Sequence, residues 1–226
     1  MNRPYVHINV AMTADGKIDT FERKGTVISS PSDKERVDKL RAESHAVLVG
    51  GHTLLHEDPK LTVKSEALRA GRVEVGLPPN PAKVGIVSCA DFRPNSNFLH
   101  SGPARIFIFT TTKTDPAQIE MLHAGHVEVF IHAGERVNLE AMLETLIAND
   151  IHRVMVEGGG TLNFELIRRG LVDEITAYVA PVIFGGDKAP TLADGPGLPR
   201  EATVHLKLTG IESWEDGGVI LRYHLK

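Results

Sequence analysis

Cysteine is almost absent from this sequence, since Cys89 is the single one among 226 residues. A lone cysteine excludes an intrachain disulfide framework and any cysteine-rich zinc site. The 11 histidines contain no HxH or HExxH spacing, so nothing favours a zinc enzyme. His52 and His56 are four residues apart, as in a metal pair, but no third ligand is evident and solvent-facing side chains explain the spacing better. We therefore predict no metal site.

A surplus of one charge and long apolar runs are also missing. The 25 basic and 29 acidic side chains give a formal net charge of −4, which provides no electrostatic surface for nucleic acid or an anionic membrane. No apolar run approaches the roughly 20 residues that cross a bilayer. The opening MNRPYVHINV enters a strand pattern without the apolar core of a signal peptide. These absences predict a soluble, cytoplasmic protein that binds neither nucleic acid nor membranes.

The sequence does contain short β-branched runs that alternate with helical patterns. This order is typical of an α/β fold with a mainly parallel sheet and crossover helices. Near the end of the chain, the turn signal Gly217-Gly218 joins two strands and predicts an antiparallel hairpin. The stretch Ser65–Pro81 is predicted to be a long exposed loop and not a linker. We therefore predict one domain over residues 1–226.

The first helix is predicted to start at Ser32, as an N-cap whose capping box is completed by Glu35. The predicted helices are Ser32–Glu43, Pro116–His123, Leu139–Asn149 and one that begins at Thr161. The predicted strands are Tyr5–Met12, Ala46–Val49, Lys83–Ser88, Arg105–Thr110, Val127–Ile131, Arg153–Val156, Ile175–Pro181, Val204–Ser213 and Gly218–Leu225.

The sharpest chemical signal is the segment VMVEGGGT at residues 154–161, where a buried strand ends in Glu157, three glycines and a helix start. Glycines let a backbone approach a phosphate closely, and a helix N-terminus presents free N–H groups at the positive end of its dipole. These are the properties of a dinucleotide pyrophosphate site, although the spacing is neither GxGxxG nor a P-loop. A tight strand-to-helix turn is the alternative.

Two further segments follow strands in the same way. Gly50-Gly51 leads into a short helix in which Thr53 can hold a polar or anionic ligand group. Met12–Lys17 contains Asp-Gly, which is a turn signal first and a loop over a ligand second. A nucleophilic hydrolase has little support, because there is no GxSxG and no base is evident beside Cys89.

Taken together, these segments resemble the riboflavin-biosynthesis reductase family, and in particular its stand-alone archaeal members. The matching segments are MTADGK at 12–17, LRA at 40–42, GGHTL at 50–54, EDPKLTV at 57–63, VEGGGTL at 156–162, GLVDE at 170–174 and APVIFGG at 180–186. The resemblance implies a three-layer fold like that of dihydrofolate reductase, with a mainly parallel central sheet and a C-terminal antiparallel hairpin. It also implies a homodimer.

The resemblance implies an NADPH-dependent oxidoreductase, with NADH possible as the donor. Its substrate would be a pyrimidine ribosyl phosphate, 2,5-diamino-6-(ribosylamino)-4(3H)-pyrimidinone 5′-phosphate, whose ribosylamino group is reduced to a ribitylamino group. Cys89 stands where relatives often carry a basic residue, and its lack of charge weakens the prediction that NADP is preferred over NAD. Arg93 is near enough in the sequence to replace that basic residue. The implied cofactor-binding residues are Thr53, Glu57, Ser88, Gly158, Gly159, Gly160, Thr161 and Leu162.

The implied substrate-binding residues are Asn9, Arg41, Leu61, Lys64 and Glu157. Arg41 matches the family's phosphate-binding arginine, but on the residues alone it can equally pair with Asp38 or Glu43. Glu157 and Asp58 are the two candidates for catalytic proton transfer, and the sequence does not decide between them.

Asn9 bears on which pyrimidine is used, because a carboxamide can face an exocyclic amino group, whereas a lysine there would favour an oxo group. A satisfied core asparagine is the alternative. Three other functions stay open: reduction of the deaminated 5-amino-6-(ribosylamino)uracil 5′-phosphate, a dihydrofolate reductase, and a non-catalytic nucleotide-binding domain. A folate site is lined by aromatic residues, and the aromatic content of only 5% argues against one here.

Overall fold

The computed structural model describes residues 2–226 and divides the chain into two compact units. The first unit contains Asp38–Met155 and the N-terminal residues through Pro4, and the second contains Tyr5–Val37 and Val156–Lys226. The second unit is therefore assembled from both ends of the chain. The single domain expected from the sequence stays a prediction.

Strands and helices alternate as predicted over most of the chain. The strands are β1 Tyr5–Thr13, β2 Ala46–Gly50, β3 Ala82–Ile86, β4 Ile106–Thr111, β5 Glu128–His132, β6 Arg153–Val156, β7 Glu174–Ala180, β8 Leu206–Ser213 and β9 Val219–Leu225. The α-helices are α1 Pro31–Glu43, α2 Glu66–Glu74, α3 Asn97–His100, α4 Pro116–Ala124, α5 Leu139–Ala148 and α6 Gly160–Arg168. A π-helix spans Thr53–Glu57, and a 3₁₀ helix spans Arg200–Ala202.

The first unit is built on parallel strands in the order β5-β4-β3-β2-β6. Strands β2, β3 and β4 are buried along their whole length, which explains why they lack the apolar–polar alternation of a half-exposed strand. Leu54, Phe98 and Ile108 are fully buried and belong to one apolar cluster of this unit. The strand predicted as Lys83–Ser88 runs two residues too far, because β3 ends at Ile86.

In the second unit the strand order is β1-β7-β9-β8. Strands β1 and β7 are parallel, with Asn9 opposite Thr176, whereas β9 pairs antiparallel with both β7 and β8. The β8–β9 turn is closed by hydrogen bonds from the Trp214 N–H to the Gly218 carbonyl and from the Gly217 N–H to the Trp214 carbonyl. The mainly parallel α/β fold and the C-terminal antiparallel hairpin are thus confirmed.

The long exposed loop predicted over Ser65–Pro81 is wrong, because its first half is helix α2. The Ser65 hydroxyl caps this helix by accepting from the Leu68 N–H at 3.3 Å. Arg72, only 4% exposed, fixes the helix by donating to the carbonyls of Pro78, Ala42 and Ser44. The prolines of the segment suggested a loop, but they lie after the helix has ended.

The predicted N-cap of α1, Ser32, is also wrong, because the cap lies two residues earlier. The helix begins at Pro31, and the Ser30 hydroxyl accepts from the Asp33 N–H at 3.2 Å. Ser30 is therefore the N-cap in place of Ser32, and proline occupies the first helical position, where its missing N–H costs nothing. Within residues 2–226, no helix is long and apolar enough to cross a membrane.

Candidate active site

The glycine-rich segment of the second unit links the end of β6 to the start of α6. The helix begins at Gly160, one residue earlier than predicted. Leu162, Phe164 and Leu166 are its buried apolar residues, so the apolar face includes Phe164, which the sequence reading did not name. Ile167, which it did name, is half-buried. Glu157 lies half-buried directly after β6, and Thr161 is exposed in the first turn of α6.

The glycines of this segment are required for different reasons. Gly158 has φ +97°, a left-handed value that favours glycine, and nothing lies within 4 Å of where its Cβ would be. A Cβ on Gly160 would lie 2.5 Å from the Thr191 carbonyl oxygen and 2.8 Å from a carboxylate oxygen of Asp194. Gly160 is thus explained by packing inside the chain, whereas Gly158 leaves room for a ligand.

The N-terminus of α6 fits the phosphate-binding role predicted for it. Its N-cap is Gly159, so no side chain of the cap accepts a hydrogen bond from the first-turn N–H groups. Those N–H groups and the helix dipole favour an anion. The open space beside Gly158 gives a cofactor backbone access to them. These residues therefore fit a nicotinamide dinucleotide.

Asn9 lies on β1 and is 7% exposed. Its Oδ1 atom is buried and, among the described residues, accepts no hydrogen bond. A buried acceptor without a donor is costly, so it marks a position where a ligand N–H would be stabilised.

The Met12–Lys17 segment is held by bonds within its own unit. The Asp15 carboxylate accepts from the Phe184 and Gly185 N–H groups and from the Thr13 hydroxyl. The Thr13 bond is the main cause that lowers the pKa of Asp15, and the two backbone bonds add to it. Lys17 donates to the Ala189 carbonyl at 3.3 Å. This segment is therefore a fixed turn.

In the first unit, the side chains of Thr53 and Glu57 are in contact at the two ends of the π-helix. Thr53 is 9% exposed, and its hydroxyl donates to a carboxylate oxygen of Glu57 at 3.1 Å. The short helix predicted after Gly50-Gly51 is confirmed, and it takes the rare π form. His52 and His56 also meet, with stacked rings 4.5 Å apart. Among residues 2–226, no group of three or more His, Cys, Asp or Glu side chains is placed to hold a metal ion.

Asp58 ends the π-helix in a left-handed conformation with φ 47°. Its two carboxylate oxygens accept from the Ser96 hydroxyl at 2.6 Å, the Asn97 N–H at 2.7 Å and the Phe98 N–H at 2.9 Å. Burial alone would raise the pKa of Asp58, but these hydrogen bonds outweigh it and hold the pKa below its ordinary value. A carboxylate held in this way is poorly suited to moving a proton.

The remaining substrate residues of the first unit differ in accessibility. Arg41 is half-buried, and its guanidinium donates to the Thr62 carbonyl at 3.1 Å. Leu61 is 1% exposed and belongs to the apolar core, so its side chain does not form a surface wall. Lys64 is exposed, and its backbone N–H is held by the Asp38 carboxylate at 2.7 Å. Asp38 thereby supports the segment that carries Lys64.

Ser88 follows β3 and is half-buried, with its carbonyl accepting from the Thr111 hydroxyl at 2.6 Å. Cys89 and Arg93 are both exposed. Sequence reasoning missed Lys83, a fully buried lysine on β3. Its signal was a charged residue inside an otherwise apolar strand, which demands a partner.

The fold is a mainly parallel α/β protein, in which α6 begins at a glycine-bounded N-terminus. Residues 4–220 match the family model described as RibD C-terminal domain, and the chain belongs to this family.

Relatives of known activity match over almost their full length. The 2,5-diamino-6-ribosylamino-4(3H)-pyrimidinone 5′-phosphate reductase of Archaeoglobus fulgidus is 40% identical over 202 residues, which are 89% of this chain and 91% of that protein. The protein of the same name from Methanothermobacter thermautotrophicus is 39% identical over 200 residues, 88% of each chain. These relatives support an oxidoreductase activity.

Solved structures confirm the fold. A pyrimidine reductase-like protein from Corynebacterium diphtheriae superposes with a TM-score of 0.81 at 18% identity, covering 99% of this chain and 92% of that one. Acinetobacter baumannii RibD gives 0.79 at 24% identity, covering 99% of this chain and 58% of that one. Dihydrofolate reductase from Enterococcus faecalis gives 0.52 at 14% identity, covering 98% and 96%.

Proposed function

We propose that this protein reduces the ribosylamino group of 2,5-diamino-6-(ribosylamino)-4(3H)-pyrimidinone 5′-phosphate to a ribitylamino group in riboflavin biosynthesis. The observation that carries the proposal is 40% identity to a reductase of this name over 89% of the chain. The accessible, uncapped N-terminus of α6 supports it, because it suits the dinucleotide that such a reduction requires.

The proposed cofactor is NADPH, with NADH as a second donor, and when bound it supplies the hydride. Gly158, Gly159 and Gly160 would bring its pyrophosphate to the first turn of α6, together with Thr161 and Leu162. The resemblance adds Thr53, Glu57 and Ser88 to the proposed contacts. Exposed Arg93 is the proposed partner for a 2′-phosphate, since Cys89 offers no charge there.

The proposed chemistry needs a proton at two atoms of the substrate. Opening of the furanose ring breaks the C1′–O bond, places a proton on the ring oxygen and removes the proton of the exocyclic nitrogen, which leaves an imine between C1′ and nitrogen. Hydride addition at C1′ and return of a proton to that nitrogen then give the ribitylamine. Glu157 is the proposed proton donor, because it is half-buried at the end of β6 while the Asp58 carboxylate is committed to hydrogen bonds.

The diamino substrate is proposed over its deaminated counterpart because of Asn9. Its buried Oδ1 accepts no bond among the described residues, and an exocyclic amino group is a donor that would satisfy it. An oxo group would place a second acceptor there. Arg41 is the proposed contact for the 5′-phosphate, where a guanidinium can donate twice, and Lys64 is the proposed neighbour.

We also propose a homodimer that uses the β8 surface. Leu206, Leu208 and Ile211 on this edge strand are 38%, 46% and 61% exposed, which is unfavourable in a monomer. Ile211→Lys should shift the protein to monomers in light scattering. An unchanged mass would place any dimer contact elsewhere.

The proposed reaction is tested by measuring oxidation of the cofactor as a loss of reduced-nicotinamide absorbance. Three substrates are compared in parallel: the diamino pyrimidine, its deaminated counterpart and dihydrofolate. Faster turnover of the diamino pyrimidine than of its deaminated counterpart is the expected result. The reverse preference would contradict the role of Asn9 and keep the reductase. Turnover of dihydrofolate alone would reassign the enzyme, and cofactor binding without any turnover would indicate a nucleotide-binding domain.

A further inference from the structure

The proposed reaction leaves one charged arrangement unused, which encloses the short helix α3 at both ends. We call it the α3 brace; it consists of Asp58, Lys83 and residues 96–101. Asp58 accepts from the N–H groups of Asn97 and Phe98 at the start of α3. Lys83 donates to the carbonyls of Phe98 and Ser101 at its end. A negative charge at the start and a positive charge at the end both match the helix dipole.

Burial of the charged Lys83 side chain at one end of the brace costs free energy of folding. Lys83 is 0% exposed, and its ammonium lies 2.8 Å from the Phe98 carbonyl oxygen and 2.5 Å from that of Ser101. Burial lowers the pKa of Lys83 to about 8, and the charge of Asp58 opposes that shift. Well-packed apolar residues often replace buried charges without loss of stability. A purely structural role is therefore a weak reason for a lysine here.

The aspartate end of the brace is joined to the π-helix. The Asp58 N–H donates to the Thr53 carbonyl at 3.1 Å, and the Thr53 hydroxyl donates to Glu57. Asp58 holds a left-handed φ of 47°, which is uncommon for a non-glycine residue but is tolerated by aspartate. Three hydrogen bonds from residues 96–98 hold its carboxylate.

We infer that Lys83 is a positioning residue, which through α3 and Asp58 holds Thr53 and Glu57 in the geometry that binds the nicotinamide cofactor. This inference rests on the proposed function, because the resemblance assigns Thr53 and Glu57 to the cofactor. It makes Asp58 a positioning residue as well, and it predicts that both charges act on cofactor affinity and not on the chemical step.

The test compares Lys83→Met, Asp58→Asn and the double variant with wild type in the full-length protein. The dissociation constant for NADPH is measured by fluorescence titration, and kcat is measured at saturating cofactor. Each single variant should weaken NADPH binding at least about fivefold and leave kcat within about twofold. The double variant should be no weaker than the worse single variant, since the two residues act as one unit. Lys83→Arg, which retains charge and donors, should recover most of the affinity.

The matched control is Asn138→Ala, which removes the cap of α5 in the same unit and lies far in sequence from the proposed contacts. It should lower the melting temperature with an unchanged dissociation constant. Wild-type affinity in Lys83→Met or in Asp58→Asn would overturn the inference, as would a fall in kcat at unchanged affinity in Asp58→Asn. If Lys83→Met does not fold, Asp58→Asn decides.

The two proposals fail differently. A wild-type protein that binds NADPH but turns over none of the three substrates contradicts the proposed reaction. The dissociation constants of the variants would still test whether the α3 brace supports cofactor binding. A wild-type protein that binds neither NADPH nor NADH contradicts both.

Discussion

At the residue scale, the two carboxylates that the sequence could not rank differ sharply in their surroundings. Glu157 follows the end of β6, whereas Asp58 follows the π-helix and is held by hydrogen bonds to residues 96–98. Glu157 instead lies half-buried beside Gly158, where open space begins. The hydrogen bonds of Asp58, and not its residue type, therefore mark it as a structural acid.

Replacement of Glu157 by glutamine tests this assignment. If Glu157 donates the proton, Glu157→Gln should lower kcat at least about tenfold with little change in KM, because the amide retains size but has no acidic proton. Steady-state kinetics with both substrates varied is the measurement. The exposed Glu201→Gln should behave as wild type. An unchanged kcat with a raised KM would leave Glu157 a binding role alone.

Glycine offers a second residue-scale test. A methyl group on Gly160 would come within 2.5 Å of the Thr191 carbonyl oxygen, so Gly160→Ala should lower the free energy of unfolding by about 1–3 kcal/mol. Gly71 in α2 has no atom within 4 Å of its would-be Cβ, and Gly71→Ala should be neutral or stabilising by up to about 1 kcal/mol. Chemical denaturation measures both. Equal effects would contradict the packing explanation.

At the element scale, helix starts are set by which side chain reaches the free N–H groups. Ser30→Ala should cost about 1 kcal/mol of unfolding free energy, since Ser30 accepts from the Asp33 N–H at the start of α1. Ser32→Ala should stay within about 0.5 kcal/mol, because Ser32 is exposed within the first turn. Denaturant unfolding of the two variants measures these free energies. A larger loss in Ser32→Ala than in Ser30→Ala would support Ser32 as the N-cap, as predicted from the sequence.

The sequence predicted most strands because their patterns are local. The period-two alternation of β1 and the apolar runs of β2 and β4 need no partner to be recognised. Helix α2 was missed because its strongest anchor is not local: Arg72 bonds to carbonyls of Ala42 and Ser44, some thirty residues earlier. The roles of Gly160 and Lys83 were hidden for the same reason, since segments distant in sequence surround both.

At the scale of the whole molecule, stability should fall in mild acid. Burial lowers the pKa of His45, and the nearby charges of His152, Arg72 and Arg153 add to it. Burial also lowers the pKa of His132. The unfolded chain then binds protons that the folded chain does not, so stability is complete above about pH 6.5 and decreases as the pH falls below it.

His45→Gln should flatten part of this decrease between about pH 7 and pH 5, because it removes a group that must be uncharged in the fold. The measurement is the melting temperature across that range. His123→Gln, at an exposed position of α4, is the control. A profile for His45→Gln that parallels wild type would assign the acid sensitivity to other groups.

The assembly of the second unit from both ends of the chain has a consequence for biosynthesis. The Val6 N–H bonds to the Asp173 carboxylate, 167 residues further along, and β1 pairs with β7. On the ribosome, β1 therefore emerges before β7 and stays without this neighbour until most of the chain has been synthesised. Residues 38–155 can complete their contacts during that interval. An unpaired apolar strand that waits in this way is exposed to aggregation, so nascent chains that end before β7 should aggregate more readily than the full-length protein.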